Sequence, residues 1–176
     1  YPIQNTLAEK YLQSHRSIQN IKESDLKFHP SVFSKEASQK YQPALLAAFK
    51  DEKGTITAIE SIYLDRKTGH KMNFKVGKRS YGSKSGSAVL INNGHDHNDI
   101  TLLAEGVVTA LSIKEAYPDL HILAVGGKEN FKNINANMLK ENVIICADND
   151  GYSLSSDRVV NQTIKNITAS GKQAIS

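Results

Sequence analysis

Three acidic residues stand where apolar runs stop. Val143-Ile144-Ile145-Cys146-Ala147 ends in Asp148-Asn149-Asp150-Gly151, and Ile100-Thr101-Leu102-Leu103-Ala104 ends in Glu105-Gly106. Side chains alternate in an extended backbone, so Asp148 and Asp150 are expected on one side and Asn149 on the other. Two carboxylates that close repel unless a cation lies between them. A divalent metal is the economical occupant, because Mg²⁺ is held by one or two carboxylates with water and substrate phosphates. Glu105 would complete such a site or move a proton, an arrangement suited to phosphoryl transfer.

The acids can meet only if the runs that carry them lie side by side. Each short apolar run closed by turn residues reads as a buried strand. After Glu105-Gly106, Val107, Ala110, Leu111 and 114–116 recur at helical spacing; His121-Ile122-Leu123-Ala124-Val125 is a third apolar run, and a short helix is expected near 134–140. Strands alternating with helices pair in parallel through right-handed crossovers, so their C-terminal ends share one edge, where open α/β sheets hold ligands. Beyond Asp150, Ser155 or Ser156 is expected to cap a helix carrying Val159, Val160, Ile164 and Ile167, stopped by Ser170-Gly171, and 172–176 to open another strand.

The first half reads differently. A helix is expected from Thr6 to Ser17, with Thr6 and Glu9 as a capping box, and an extended piece around Phe28-His29-Pro30. Residues 44–50 and 55–64 form an antiparallel pair across the turn signal Asp51-Glu52-Lys53-Gly54, with further strands at 71–76 and 88–91. From Arg66 to Lys84 there are seven Lys/Arg and no acid, interleaved with Phe74, Tyr81 and glycines. Lys71, Lys75, Lys78, Arg79 and Lys84 are therefore candidates for a single-stranded nucleic-acid or nucleotide-phosphate track, against the plainer reading of a solvated face. Lys128, after Gly126-Gly127 at the carboxylate edge, is either a phosphate counter-charge or part of a tight turn. No Walker-type phosphate loop is present. His29 near Asp25 reads as a loop histidine, and His95-Asp96-His97-Asn98-Asp99 as a solvated connection at a module seam near 92–99.

The totals agree. The 176 residues suffice for one domain or one with a small companion, and 39% hydrophobic with 23% charged residues is ordinary for a soluble chain. The lone Cys146 excludes an internal disulfide and a zinc site built on several thiolates. No run suits a membrane span, and the expectation is a cytoplasmic protein without a membrane partner. Net charge is +4, with 15 Lys/Arg against 10 Asp/Glu in residues 1–99 and 7 against 8 in 100–176. A basic module thus precedes an acidic one.

These residues resemble the TOPRIM domain shared by topoisomerases and bacterial-type primases, whose pattern is a glutamate ending one strand and an Asp-x-Asp pair ending a later one. Leu103-Ala104-Glu105-Gly106-Val107-Val108-Thr109-Ala110-Leu111-Ser112 with Ile144-Ile145-Cys146-Ala147-Asp148-Asn149-Asp150 is similar to the primase-like TOPRIM regions of plasmid and phage proteins, including those fused to conjugative relaxases. Asp25–Pro30 and Tyr41–Ala47 resemble the segment preceding TOPRIM in that group. The resemblance implies an α/β fold: a Rossmann-like parallel sheet flanked by helices at 96–176, truncated at its C-terminus, preceded by a small basic α+β module with antiparallel strands at 1–95. It implies Mg²⁺ or Mn²⁺ bound by Glu105, Asp148 and Asp150, nucleotidyl transfer on DNA in plasmid transfer or replication, and single-stranded DNA, RNA, nucleotides or other domains of a longer relaxase or primase chain as partners. Alternatives are a non-catalytic binding or docking module of a relaxase, and a nuclease using the same acids. A hydrolase with Asp148 as nucleophile would want its Asp-x-Asp early in the chain. Supercoil relaxation lacks a marked tyrosine.

Overall fold

The computed structural model describes residues 1–21, 25–74, 78–91, 99–148 and 157–176. Lys75, the His95-Asp96-His97 cluster with most of the expected seam, Asp150, Ser155 and Ser156 lie outside the described residues.

Helix α1 (Leu7–Arg16) precedes a four-stranded antiparallel sheet of β1 (Leu26–Phe33), β2 (Tyr41–Lys50), β3 (Ile56–Tyr63) and β4 (Lys78–Gly82), ordered as in sequence. A second sheet contains β5 (Val89–Ile91), β6 (Ile100–Ala104), β7 (His121–Ala124), β8 (Asn142–Cys146) and β9 (Gln173–Ile175) in the order β5-β7-β6-β8-β9. Strands β7, β6, β8 and β9 are mutually parallel and β5 is an antiparallel edge. Helix α2 (Val107–Ala116) links β6 to β7, and α3 (Arg158–Ala169) links β8 to β9. This is the expected α/β sheet beside an antiparallel module.

Local chemistry explains the framework. Thr6 Oγ1 accepts from the Ala8 N–H at 3.2 Å, and Glu9 accepts from the Asn5 N–H at 2.8 Å, so the capping box is closed one residue outward. The β2–β3 turn is held by Asp51 Oδ1, which accepts from the N–H groups of Lys53 and Thr55, both at 2.9 Å. Register places Leu45, Ala47 and Phe49 opposite Ile62, Glu60 and Ala58. The apolar members of that face share a buried cluster with Tyr11 and Leu12 of α1, Val107 and Leu111 of α2, and Leu102 of the second sheet. On the other face of the second sheet, Leu103, Leu123, Val143 and Ile145 pack with Phe131, Val160 and Ile167. A two-way backbone bridge between Lys50 and Ala88, at 2.9 and 3.0 Å, ties the sheets together.

Four expectations change. Residues 134–140 form no α-helix: 3₁₀ turns occupy Lys128–Asn133 and Ala136–Met138, where the Asn135 side chain accepts from the Asn137 N–H and competes with helical pairing. Residues 71–74 form no strand, because Lys71 makes one isolated bridge to Leu64 and Phe74 instead covers Tyr63 edge-on at 5.9 Å. The strand there is β4, further along. Helix α3 is capped by Asp157, whose Oδ1 accepts from the Val159 and Val160 N–H groups, rather than by a serine. Finally, β5, assigned by sequence to the first module, pairs in the second sheet.

Candidate functional site

Strands β6 and β8 are neighbours with Ala104 opposite Cys146, so the residues just beyond them, Glu105 and Asp148, emerge at the same edge. Both line a cavity of about 210 Å³ with Gly106, Thr109, Lys71 and Lys78. Two cations thus come from the antiparallel module and two carboxylates from the parallel sheet.

Glu105 is tightly fixed by its backbone. Its carbonyl accepts from the N–H groups of Gly126 and Gly127 at 2.8 and 2.9 Å, tying the end of β6 to the loop after β7. Its Oε2 atom is buried without a hydrogen-bond partner. A buried oxygen left this way lacks the hydrogen bond that ordinarily compensates its lost hydration, and a cation would supply that partner. Asp148 is exposed on the same cavity wall. Two oxygen-donor carboxylates without an ion pair among the described residues fit a hard divalent cation. Asp150, the third acid expected here, lies outside the described residues, and among those residues no three His, Cys, Asp or Glu side chains form a metal-binding group.

The cationic wall is built by local turns. The Leu64–Lys71 bridge closes the 65–70 turn, in which Asp65 Oδ1 accepts from the Lys67 and Thr68 N–H groups at 2.9 and 2.7 Å. Burial depresses the Lys71 pKa, the charges of Lys78 and Arg16 depress it further, and Glu60 opposes them. Helix α1 reaches the same turn: His15 stacks on His70 with ring centres 3.6 Å apart and lies 3.2 Å from the Thr68 carbonyl. This contact brings Tyr11 and Arg16 to the cavity. Lys78 Nζ lies 3.6 Å from the position a Cβ on Gly106 would occupy.

The other sequence candidates are held differently. Lys84 Nζ donates to Glu60 at 3.0 Å and to the Gly126 carbonyl at 2.6 Å. Arg79 pairs with Glu36 at 3.6 Å, and Lys128 with Asp157 at 2.9 Å. Lys75 lies outside the described residues. A larger cavity, about 540 Å³, lies between the β2–β3 turn and the β5–β7 edge and contains none of the predicted site residues.

The family described as "Domain of unknown function (DUF7146)" matches residues 1–91, more than half of the chain, and the family described as "Toprim domain" matches residues 100–176. The chain belongs to the DUF7146 family and carries a Toprim domain. Its fold is that of primase catalytic cores. The Aquifex aeolicus primase (zinc-binding and RNA polymerase domains) superposes with a TM-score of 0.65 at 13% identity, over 98% of this chain and 49% of that one. The DnaG catalytic core gives 0.61 at 11% identity, over 98% and 65%. The DnaG primase catalytic domain bound to ssDNA gives 0.54 at 13%, over 84% and 58%. The chain therefore spans about half to two thirds of the length of these structures. No curated protein matches it.

Within this pairing, the Toprim domain supplies Glu105 and Asp148, while the DUF7146 segment supplies Lys71, Lys78, Arg16 and Tyr11. Sequence reasoning missed Arg16, Tyr11 and Glu60. Arg16 and Tyr11 reach the site only through the docking of α1, and Glu60 alternates on the same face of β3 as Ala58 and Ile62 but meets its partners Lys78 and Lys84 only in the fold. No helix among the described residues is long and apolar enough to cross a membrane.

Proposed function

We propose that this chain is the metal-dependent nucleotidyl-transfer centre of a primase-like protein, with Glu105, Asp148 and Asp150 holding Mg²⁺ or Mn²⁺. The observation that carries the reading is the shared cavity, in which the unpartnered Glu105 Oε2 and the Asp148 carboxylate face Lys71 and Lys78. When bound, the metal supplies Lewis-acid neutralisation of phosphate charge and lowers the pKa of a coordinated hydroxyl. The protein's own groups do the remaining work. Lys71, Lys78 and Arg16 attract and orient a phosphate chain across the cavity from the acids. Lys71 is exposed at the cavity wall, and partial desolvation with the nearby Lys78 charge lowers its pKa, so a phosphate there would be a compensating partner. Glu105, fixed by the two glycine amides, is placed to hold or pass a proton at its Oε2.

Single-stranded DNA is the proposed template and nucleoside triphosphates the proposed substrates, in line with the ssDNA bound by a DnaG catalytic domain of the same fold. Lys75, Arg79 and Lys84 belong to the wider proposed nucleic-acid surface, whereas Lys128, paired with Asp157, is proposed to serve the start of α3 instead. A conjugative or plasmid setting, in a longer relaxase or primase chain, is proposed from the motif resemblance alone. A second reading is binding of metal and nucleic acid without turnover.

The deciding experiment titrates the chain with Mg²⁺ and Mn²⁺ by calorimetry and amide NMR, beside Glu105→Gln and Asp148→Asn/Asp150→Asn. Metal binding should weaken at least about tenfold in folded variants. Primer synthesis from template, nucleotides and metal by wild type alone would establish transfer. Metal binding that survives both variants would sink the metal site, and binding without synthesis would favour the second reading.

A further inference from the structure

Glu60 lies on the inner face of β3 and is only 1% exposed. A carboxylate so buried is costly unless compensated, and an apolar residue would serve a packing role as well. Its surroundings point to something more specific. Oε2 accepts from Lys84 Nζ at 3.0 Å, whereas Oε1 has no hydrogen-bond partner and faces Lys78 Nζ at 3.8 Å. One carboxylate thus holds two ammonium groups.

Both ammonium groups end at the acidic edge of the other sheet. Lys78 reaches Gly106 in the cavity shared by Glu105 and Asp148. Lys84 donates at 2.6 Å to the carbonyl of Gly126, the residue whose N–H holds the Glu105 carbonyl. From Glu60, one path runs through Lys78 to the cavity and another through Lys84 to the Gly126 carbonyl.

We propose that Glu60 is a positioning residue, which fixes the Lys78 ammonium at the mouth of the cavity and holds Lys84 beside it, while the Gly126 and Gly127 N–H groups hold Glu105 independently. Its consequence for substrate, alignment of a nucleoside triphosphate's phosphates between Lys78 and the acids, rests on the nucleotidyl-transfer reading above. The positioning of the two ammonium groups by Glu60 does not.

The test compares the wild-type chain with Glu60→Gln, Lys78→Met and the double variant, with ATP and Mg²⁺ as the probe, each protein being shown folded by its melting curve. Glu60→Met provides a second variant if glutamine leaves the lysines too poorly compensated to fold. Glu60→Gln and Lys78→Met are each expected to weaken ATP binding roughly tenfold, the loss associated with a hydrogen bond to a charged group. The double variant should lose no more than either single variant. Mn²⁺ binding without ATP should be unchanged in Glu60→Gln, whereas a merely structural role would lower metal and ATP binding together. Wild-type ATP affinity in Glu60→Gln, or losses that multiply in the double variant, would overturn the proposal. If wild type itself binds no ATP, the nucleotidyl-transfer reading fails instead, and the NMR signals of the lysine ammonium groups decide the positioning role. Displacement of both the Lys78 and Lys84 signals in Glu60→Gln supports it, and unchanged signals overturn it.

Discussion

The Glu105 carbonyl is held by the Gly126 N–H at 2.8 Å, so the acidic strand end is anchored by a loop that packs on the opposite module. Gly126 has φ +77°, and a Cβ there would lie 2.5 Å from Phe49 Cζ and 2.9 Å from Lys84 Cδ. Gly126→Ala combines left-handed strain with overpacking and is expected to destabilise the fold by about 2–4 kcal/mol. Urea denaturation measures the loss, and a displaced Glu105 amide resonance would show that it reaches the site. Wild-type stability would show that Phe49 yields at no cost.

Lys114 offers the opposite case. It is 4% exposed on the core side of α2, with Nζ lacking a hydrogen-bond partner. Its helical spacing from Val107, Ala110 and Leu111 puts an ammonium on an apolar stripe. Replacing a poorly compensated buried charge by an apolar side chain of similar length is neutral or stabilising. Lys114→Met should therefore raise stability by about 1–2 kcal/mol, within the cost of burying an unsatisfied polar group. A loss of stability in chemical denaturation would show that the ammonium has a compensating partner.

Much of this arrangement is legible in sequence, for identifiable reasons. Strands β6, β7 and β8 are short apolar runs broken by turn residues, and alternation with helices requires their parallel pairing, so Glu105 and Asp148 could be placed at one edge before any contact was known. Strand β4 is harder to read, because it is an edge whose residues Lys78–Gly82 are mostly exposed and supply no apolar alternation. The region after β7 misled because Asn133, Asn135 and Asn137 favour local side-chain bonding over a continued helix. Arg16 and Glu60 owe their roles to packing between distant segments, which leaves no local pattern.

Tyr63 provides a test at alkaline pH. Burial, followed by a hydrogen bond with Tyr81, pushes its pKa up to about 12, and its hydroxyl donates to the Phe33 carbonyl at 2.7 Å. A tyrosine free in the unfolded chain titrates near 10. Because the folded state keeps its proton longer, the stabilisation is fully present below about pH 10 and is lost as pH rises towards 12. Labelled-tyrosine NMR should show Tyr63 among the last of the ring signals to ionise. Tyr63→Phe should reduce the steepness of the stability loss between pH 10 and 12. Ionisation of Tyr63 near pH 10 in the folded protein would contradict the buried bond.

Asp157 provides the acid counterpart and separates Lys128 from the phosphate wall. A hydrogen bond from Lys128, followed by the Val160 and Val159 N–H groups, holds its carboxyl below the usual range. The stabilisation is therefore present above the unfolded value of about 3.9 and is lost as pH falls through the lower folded value. Asp157→Ala removes both the cap and the ion pair and should cost about 1 kcal/mol at neutral pH. Asp157→Asn retains capping capacity, so its smaller deficit isolates the charge, and that deficit should close in acid as the wild-type carboxyl protonates. Lys128→Met should share the neutral-pH deficit yet leave oligonucleotide affinity near wild type, whereas Lys71→Met and Lys78→Met should lower affinity with little effect on melting. Parallel melting curves from pH 2 to 7 and fluorescence-anisotropy titrations measure both sides. A large loss of oligonucleotide affinity in Lys128→Met would place that ammonium on the nucleic acid rather than at the start of α3.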